Sequence, residues 1–133
     1  IAALRDRLRS RIEAGLAGVH VNGGLDHRLA GNLNLSFDGI EGEALLLALR
    51  DVAVSSGSAC SSASIEPSHV LRAIGLSAER AHASVRFGIG RFNTAEEIEF
   101  AADRVIATVT RLRESAALYD AERPAAPTRV RDR

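Results

Sequence analysis

Apolar positions at Ile1, Leu4, Leu8 and Ile12 recur every three or four residues, which predicts an amphipathic helix over 1–16, ended by Gly15 and Gly18. Residues 19–21 predict a short strand, and Asn22-Gly23-Gly24 a turn. Over 32–38 the period falls to two, because Leu33, Leu35 and Phe37 alternate with Asn34 and Ser36; this predicts a half-buried strand. Asp38-Gly39 turns the chain, and Asp38 with Glu41 predicts a capping pair for a helix over 41–50. Leu45, Leu46, Leu47 and Leu49 make most of that helix's circumference apolar and predict that it is largely buried. A short strand over 52–55 then leads into a segment with no bulky side chain, and Glu66-Pro67 opens a further helix with Gly75 just past its end. Ala83, Val85, Phe87 and Ile89 alternate with Ser84, Arg86, Gly88 and Gly90 and predict a second clear strand. Thr94 and Glu97 fit a capping box, and Ile98, Ala102, Val105, Val109, Leu112 and Ala116 follow at spacings of 4, 3, 4, 3 and 4. From Asp120 onward the periodicity is lost among Pro124, Pro127 and several arginines, which predicts a disordered tail over 120–133 behind one domain at 1–119. The element order predicts an α+β fold, a small mixed sheet with helices packed on one side.

Composition narrows the partners. The chain has 133 residues, of which 46% are hydrophobic, enough for a single core. Its 17 basic and 17 acidic residues cancel, so charge supplies no attraction to nucleic acid or to an anionic membrane. No apolar run approaches the roughly 18 residues of a membrane span, and no signal-peptide pattern opens the chain. A single cysteine excludes an internal disulfide and fits a reducing, cytoplasmic setting. The first helical stripe is already under way at Ile1, with no Met before it, which predicts a piece of a longer protein. All 17 basic residues are arginine, so no side-chain amine can form a Schiff base with a carbonyl cofactor.

Two residues stand out for chemistry. Cys60 is the only sulfur in the chain and lies in Ser55-Ser56-Gly57-Ser58-Ala59-Cys60-Ser61-Ser62-Ala63-Ser64, built only from Ser, Gly, Ala and itself. Such a segment cannot pack the thiol among bulky neighbours, as a reactive, reachable cysteine requires, and no Lys, Arg or His within it lowers the thiol pKa. An incidental cysteine in a Ser-rich linker accounts for the same composition. Arg86 lies on the strand face opposite Val85 and Phe87, with only Ser84, Gly88 and Gly90 beside it. The cleared space suits bidentate capture of a carboxylate. An exposed strand arginine in a surface ion pair is the competing interpretation. His20, His27, His69 and His82 show no metal-ligand spacing, and a structural role suits His82 despite its place just before the Arg86 strand. Gly88-x-Gly90 lacks the rest of a dinucleotide fingerprint, and Ser55 and Ser58 have no recognisable His/Asp set around them.

Residues 53–75, Ala-Val-Ser-Ser-Gly-Ser-Ala-Cys-Ser-Ser-Ala-Ser-Ile-Glu-Pro-Ser-His-Val-Leu-Arg-Ala-Ile-Gly, strongly resemble the catalytic-cysteine segment of the NifS/IscS-type cysteine desulfurases. Asn34-Leu35-Ser36-Phe37 through Glu41-Gly42-Glu43 resembles the preceding strand and helix, and residues 83–94 the strand that follows, so the resemblance covers roughly 26–118. It implies the C-terminal small domain of a fold-type I transferase of the class V aminotransferase type that depends on pyridoxal 5′-phosphate. It also implies that Cys60 attacks the sulfur of L-cysteine, becomes a persulfide and releases L-alanine, while Arg86 holds the substrate carboxylate. The sulfur would pass to an acceptor protein, such as an iron–sulfur scaffold. A large cofactor-binding domain, which supplies the Schiff-base lysine, and a homodimer are implied as well. Without that lysine, the chain alone is expected to be inactive. A stand-alone sulfur-carrier or protein-interaction module that has lost the cofactor chemistry, or a relative acting on selenocysteine, are the rival expectations.

Overall fold

Among the described residues, three short strands make up an antiparallel sheet in the order β1 (Val19–Val21), β2 (Asn32–Phe37), β3 (Ser84–Gly88). The computed structural model describes residues 1–56 and 66–123, so Cys60 and the expected tail beyond residue 123 lie outside the described residues. Val21 stands opposite Leu35 and Val19 opposite Phe37; Leu33 stands opposite Phe87 and Leu35 opposite Val85. Leu33, Leu35, Phe37 and Val85 are fully buried, which places the predicted alternation in one apolar layer. The remaining face carries His20, Asn34, Ser36, Ser84, Arg86 and Gly88.

Three helices close the apolar face. The first, α1 (Ala2–Gly15), contributes Leu8 and Ile12, and the long α5 (Ala95–Glu122) contributes Ile98, Ala102, Val105 and Val109 to the same core. These two helices run in the same direction along each other. Arg7 Nε donates to Glu99 Oε1 at 2.5 Å, Arg11 Nε donates to Glu99 Oε2 at 2.7 Å, and Arg11 Nη2 donates to Asp103 Oδ1 at 2.7 Å. The two guanidinium groups hold the Glu99 carboxyl below the usual carboxylate range. Helix α5 begins with the expected capping box: Thr94 Oγ1 accepts from the Glu97 N–H at 3.2 Å, and Glu97 Oε2 accepts from the Thr94 N–H at 3.1 Å. It continues to Glu122, past the expected end at residue 119, and residues 114–122 are all exposed.

Several expectations about the middle of the chain are corrected. The described strands pair only antiparallel, where a mixed sheet was expected. The expected strand over 52–55 is reduced to a single antiparallel bridge between Ser55 and Arg86. Val54 packs against the core instead of joining a ladder, and Asp51 is held against α5 by Arg104 at 2.8 Å. The helix expected over 41–50 is α2 (Gly42–Ala48), whose N-terminus has no side-chain cap; the Asp38 carboxylate bonds His20 instead, at 2.9 Å. Leu45 and Leu49 take its core face, one turn apart, and this leaves Leu47 67% exposed, because one facing layer cannot cover four leucines spread around a helix. The helix after Pro67 is one short turn, α3 (His69–Ala73), stopped by Gly75 at φ +98°. A further short helix, α4 (Ala78–His82), follows behind Ser77, whose side chain accepts from the Arg80 N–H at 3.2 Å.

Gly42 fixes how closely α2 approaches the start of β3. A Cβ added there would lie 2.3 Å from the His82 carbonyl oxygen and 3.2 Å from that of Ser84, both backbone atoms that cannot swing aside. Gly42→Ala is therefore expected to destabilise the fold by about 1–3 kcal/mol through overpacking. Gly24→Ala, where an added Cβ meets nothing within 4 Å, is the control and should change stability by no more than about 0.5 kcal/mol. Urea unfolding of the two variants checks this, and equal midpoints would show that α2 does not sit this close.

Candidate functional site around Arg86

Parity places the Arg86 side chain. Val85 and Phe87 are buried on the core side, so Arg86 projects from the opposite face and is half-buried there. Its backbone points to the free edge of β3. The Arg86 N–H donates to the Ser55 carbonyl at 2.7 Å, and the Ser55 N–H donates to the Arg86 carbonyl at 3.1 Å. That pair leaves Arg86 and its β2 partner Asn34 as a non-hydrogen-bonded pair, the closer of the two antiparallel spacings, with Cα atoms about 4.5 Å apart. On the same face, an added Cβ at Gly88 would meet nothing within 4 Å among the described residues, which leave space beside the guanidinium. Among the described residues, the guanidinium makes no hydrogen bond or ion pair.

The Ser55 bridge also locates the root of the Ser-rich segment. Cys60 is five residues beyond Ser55 and itself lies outside the described residues. Ser55 is therefore held at the backbone of Arg86, and the described chain resumes at Glu66, two residues before Ser68, which precedes α3.

Behind Arg86 the polar face is not the solvated surface that alternation alone predicts. Ser36 is 0% exposed, Ser84 1% and Asn22 5%. Asn22 Nδ2 donates to Asn34 Oδ1 at 2.7 Å and to Ser84 Oγ at 3.1 Å. Ser36 Oγ lies 2.9 Å from both Asn22 Oδ1 and Ser84 Oγ, and Ser84 Oγ donates to the Arg80 carbonyl at 2.7 Å. The sequence signal for this network is the size of the alternating residues. Asn34, Ser36 and Ser84 are short and polar, where a solvated strand face carries long charged side chains.

The histidines do not join this site. His20 bonds Asp38, whose carboxyl is held below its usual range chiefly by that hydrogen bond, and His27, His69 and His82 are exposed. Arg91 lies over the exposed Phe92 ring at 4.7 Å. Among the described residues, no group of His, Cys, Asp or Glu could hold a metal ion, and no helix is long and apolar enough to cross a membrane. A groove of about 550 Å³ opens elsewhere, between the end of β2, α2, α4 and α5, lined by Phe37, Ile40, Ala44 and Leu112 without Arg86. The sequence contains no lysine, so the chain does not itself fit a cofactor that must be held as a Schiff base.

Comparison with known proteins adds a family. The model of the aminotransferase class-V family matches residues 1–100. The cysteine desulfurase IscS of Anaeromyxobacter sp. (strain Fw109-5) is 57% identical over 120 residues, which is 90% of this chain and 30% of that protein. The mitochondrial cysteine desulfurase of Arabidopsis thaliana is 55% identical over 120 residues, 90% of this chain and 26% of that one. The chain thus spans under a third of the length of these curated relatives. The X-ray structure of a NifS-like protein from Rickettsia africae ESF-5 matches 85% of this chain and 28% of its own, with TM-score 0.65 and 23% identity, a likeness of fold.

The buried network generates a stability prediction. Ser84→Ala removes the buried acceptor of one Asn22 N–H and the donor to the part-buried Arg80 carbonyl. The loss should be about 1–3 kcal/mol in denaturant unfolding, the cost of a buried polar group left unpaired. An unchanged midpoint would show that the face is hydrated.

Proposed function

This chain belongs to the aminotransferase class-V family, and from that premise we propose that it is the C-terminal small-domain part of a cysteine desulfurase. The complete enzyme uses pyridoxal 5′-phosphate to take sulfur from L-cysteine and supplies iron–sulfur cluster assembly or another sulfur-transfer route. The cofactor activates the substrate when a large domain elsewhere in the protein holds it. This chain, which has no lysine, contributes two groups. Arg86 binds the substrate carboxylate through its guanidinium fork. The Cys60 thiolate attacks the substrate sulfur, an S–S bond forms as the C–S bond breaks, the carbon retains the electron pair and is protonated, and L-alanine leaves. The persulfide on Cys60 then travels on its Ser-rich tether to the thiol of an acceptor protein. The working form is a homodimer in the cytoplasm.

The observation that carries this reading is the Ser55–Arg86 backbone pair. It roots the tether of the proposed nucleophile at the very strand residue proposed to grip the substrate. An extended chain covers at most about 3.6 Å per residue, so five residues give Cys60 a reach of at most about 18 Å from that root. The same length allows the sulfur to be near Arg86 for the chemistry and well away from it for delivery. The identities of 55–57% to proteins named cysteine desulfurase support the substrate.

The full-length protein tests both roles. Cys60→Ser should abolish persulfide formation and sulfur delivery in the presence of a thiol acceptor, and undiminished delivery would remove Cys60 from the mechanism. Arg86→Ala, with cofactor still bound, should raise KM for L-cysteine about 10- to 100-fold, the worth of a hydrogen-bonded charge. An unchanged KM would remove the carboxylate role.

A further inference from the structure

The buried network ends on one atom that can only accept. The Arg80 carbonyl lies 2.7 Å from Ser84 Oγ, so Ser84 spends its single proton there, and Ser84 Oγ accepts from Asn22 Nδ2 at 3.1 Å. Asn22 Oδ1 in turn accepts from the Ser36 hydroxyl at 2.9 Å. The second proton of Asn22 Nδ2 goes to Asn34 Oδ1 at 2.7 Å. The Asn34 amide therefore has its oxygen committed to Asn22 and its NH2 turned away from Asn22. Among the described residues that NH2 has no acceptor. Asn34 stands opposite Arg86 as the closely spaced kind of cross-strand pair, on the face left open beside Gly88.

We propose that Asn34 is a second binding residue for the substrate carboxylate, its NH2 donating beside the Arg86 guanidinium, with Asn22, Ser36 and Ser84 as positioning residues that hold the amide in this orientation. Two planar donor groups with no free acceptor between them suit a carboxylate and disfavour a neutral amide in the same place. The inference rests on the reading of Arg86 as the carboxylate-binding residue. It adds a second source of selectivity, since a guanidinium alone accepts many anions while a fixed amide also sets the plane of the bound group. Asn22 is central to this device because its nitrogen bridges the locked hydroxyl of Ser84 and the oxygen of Asn34.

The test is calorimetric binding of L-alanine, the proposed product, and of L-alaninamide, which lacks the carboxylate, to the full-length holoenzyme at equal cofactor content. Asn34→Ala should weaken L-alanine binding about tenfold, as for the loss of one hydrogen bond to a charged group, and leave L-alaninamide unchanged. Asn34→Asp keeps an acceptor for Asn22 but replaces the NH2 by a charged oxygen, so it should weaken L-alanine further and still spare L-alaninamide. Wild-type affinity for L-alanine in both variants, while Arg86→Ala weakens it, would overturn the role of Asn34 and leave that of Arg86 standing. Equal weakening of both ligands by Asn34→Ala would mark a purely structural residue and also overturn the proposal. Unchanged L-alanine binding in Arg86→Ala would overturn both readings together.

Discussion

The register of β3 is the constraint on which the rest depends. Val85 and Phe87 are buried in the core, and the side-chain period of a strand is two, so Arg86 has one direction open to it. A slip of one residue would place a guanidinium among Leu33, Leu35 and Val105 and expose two apolar side chains. The strand is paired along both edges: Val85 and Phe87 are in register with β2, and Arg86 exchanges two backbone hydrogen bonds with Ser55. Orientation of the side chain and anchorage of the Ser-rich segment are thus consequences of a single strand position.

The sheet faces two environments in unequal ways. Its apolar side is closed by α1, α2 and α5 through ordinary hydrophobic burial, which is strong but indifferent to direction. Its other side is organised by hydrogen bonds of Asn22, Ser36 and Ser84, each worth only about 1 kcal/mol net but costly to leave unmade away from water. Such bonds specify which atom points where. That difference explains why small polar residues occupy the face on which a guanidinium must be aimed, while leucine and valine suffice on the other.

Much of this was legible along the chain and some was not. The alternation in 32–38 and 83–90 marks β2 and β3 because packing and pattern agree there, and the stripe from Ile98 to Val109 with its Thr94–Glu97 box marks α5 for the same reason. Local signals failed where a tertiary partner outbid them. Asp38 would cap a helix by sequence, yet His20 is brought across from β1 to receive it. Val54 reads as strand but is drawn into the core, so that only Ser55 reaches the sheet edge. Leu47 reads as core and is left outside because Leu45 and Leu49 already fill the contact. The position of Arg86 on its face followed from parity alone. The network behind it did not, because alternation tells which residues share a face and says nothing of what covers that face.

Amide hydrogen exchange of the full-length protein at Arg86 and Ser55 bears most directly on the claim that one strand position both aims the guanidinium and roots the cysteine-bearing segment. Both N–H groups lie on the outer edge of β3, where among the described residues their mutual pairing is the hydrogen bonding they have. They should exchange as slowly as the amides of Val85 and Phe87 in the β2·β3 ladder. Fast exchange at Arg86 and Ser55 beside a protected ladder would mean that the segment is not anchored there, and the account would fail.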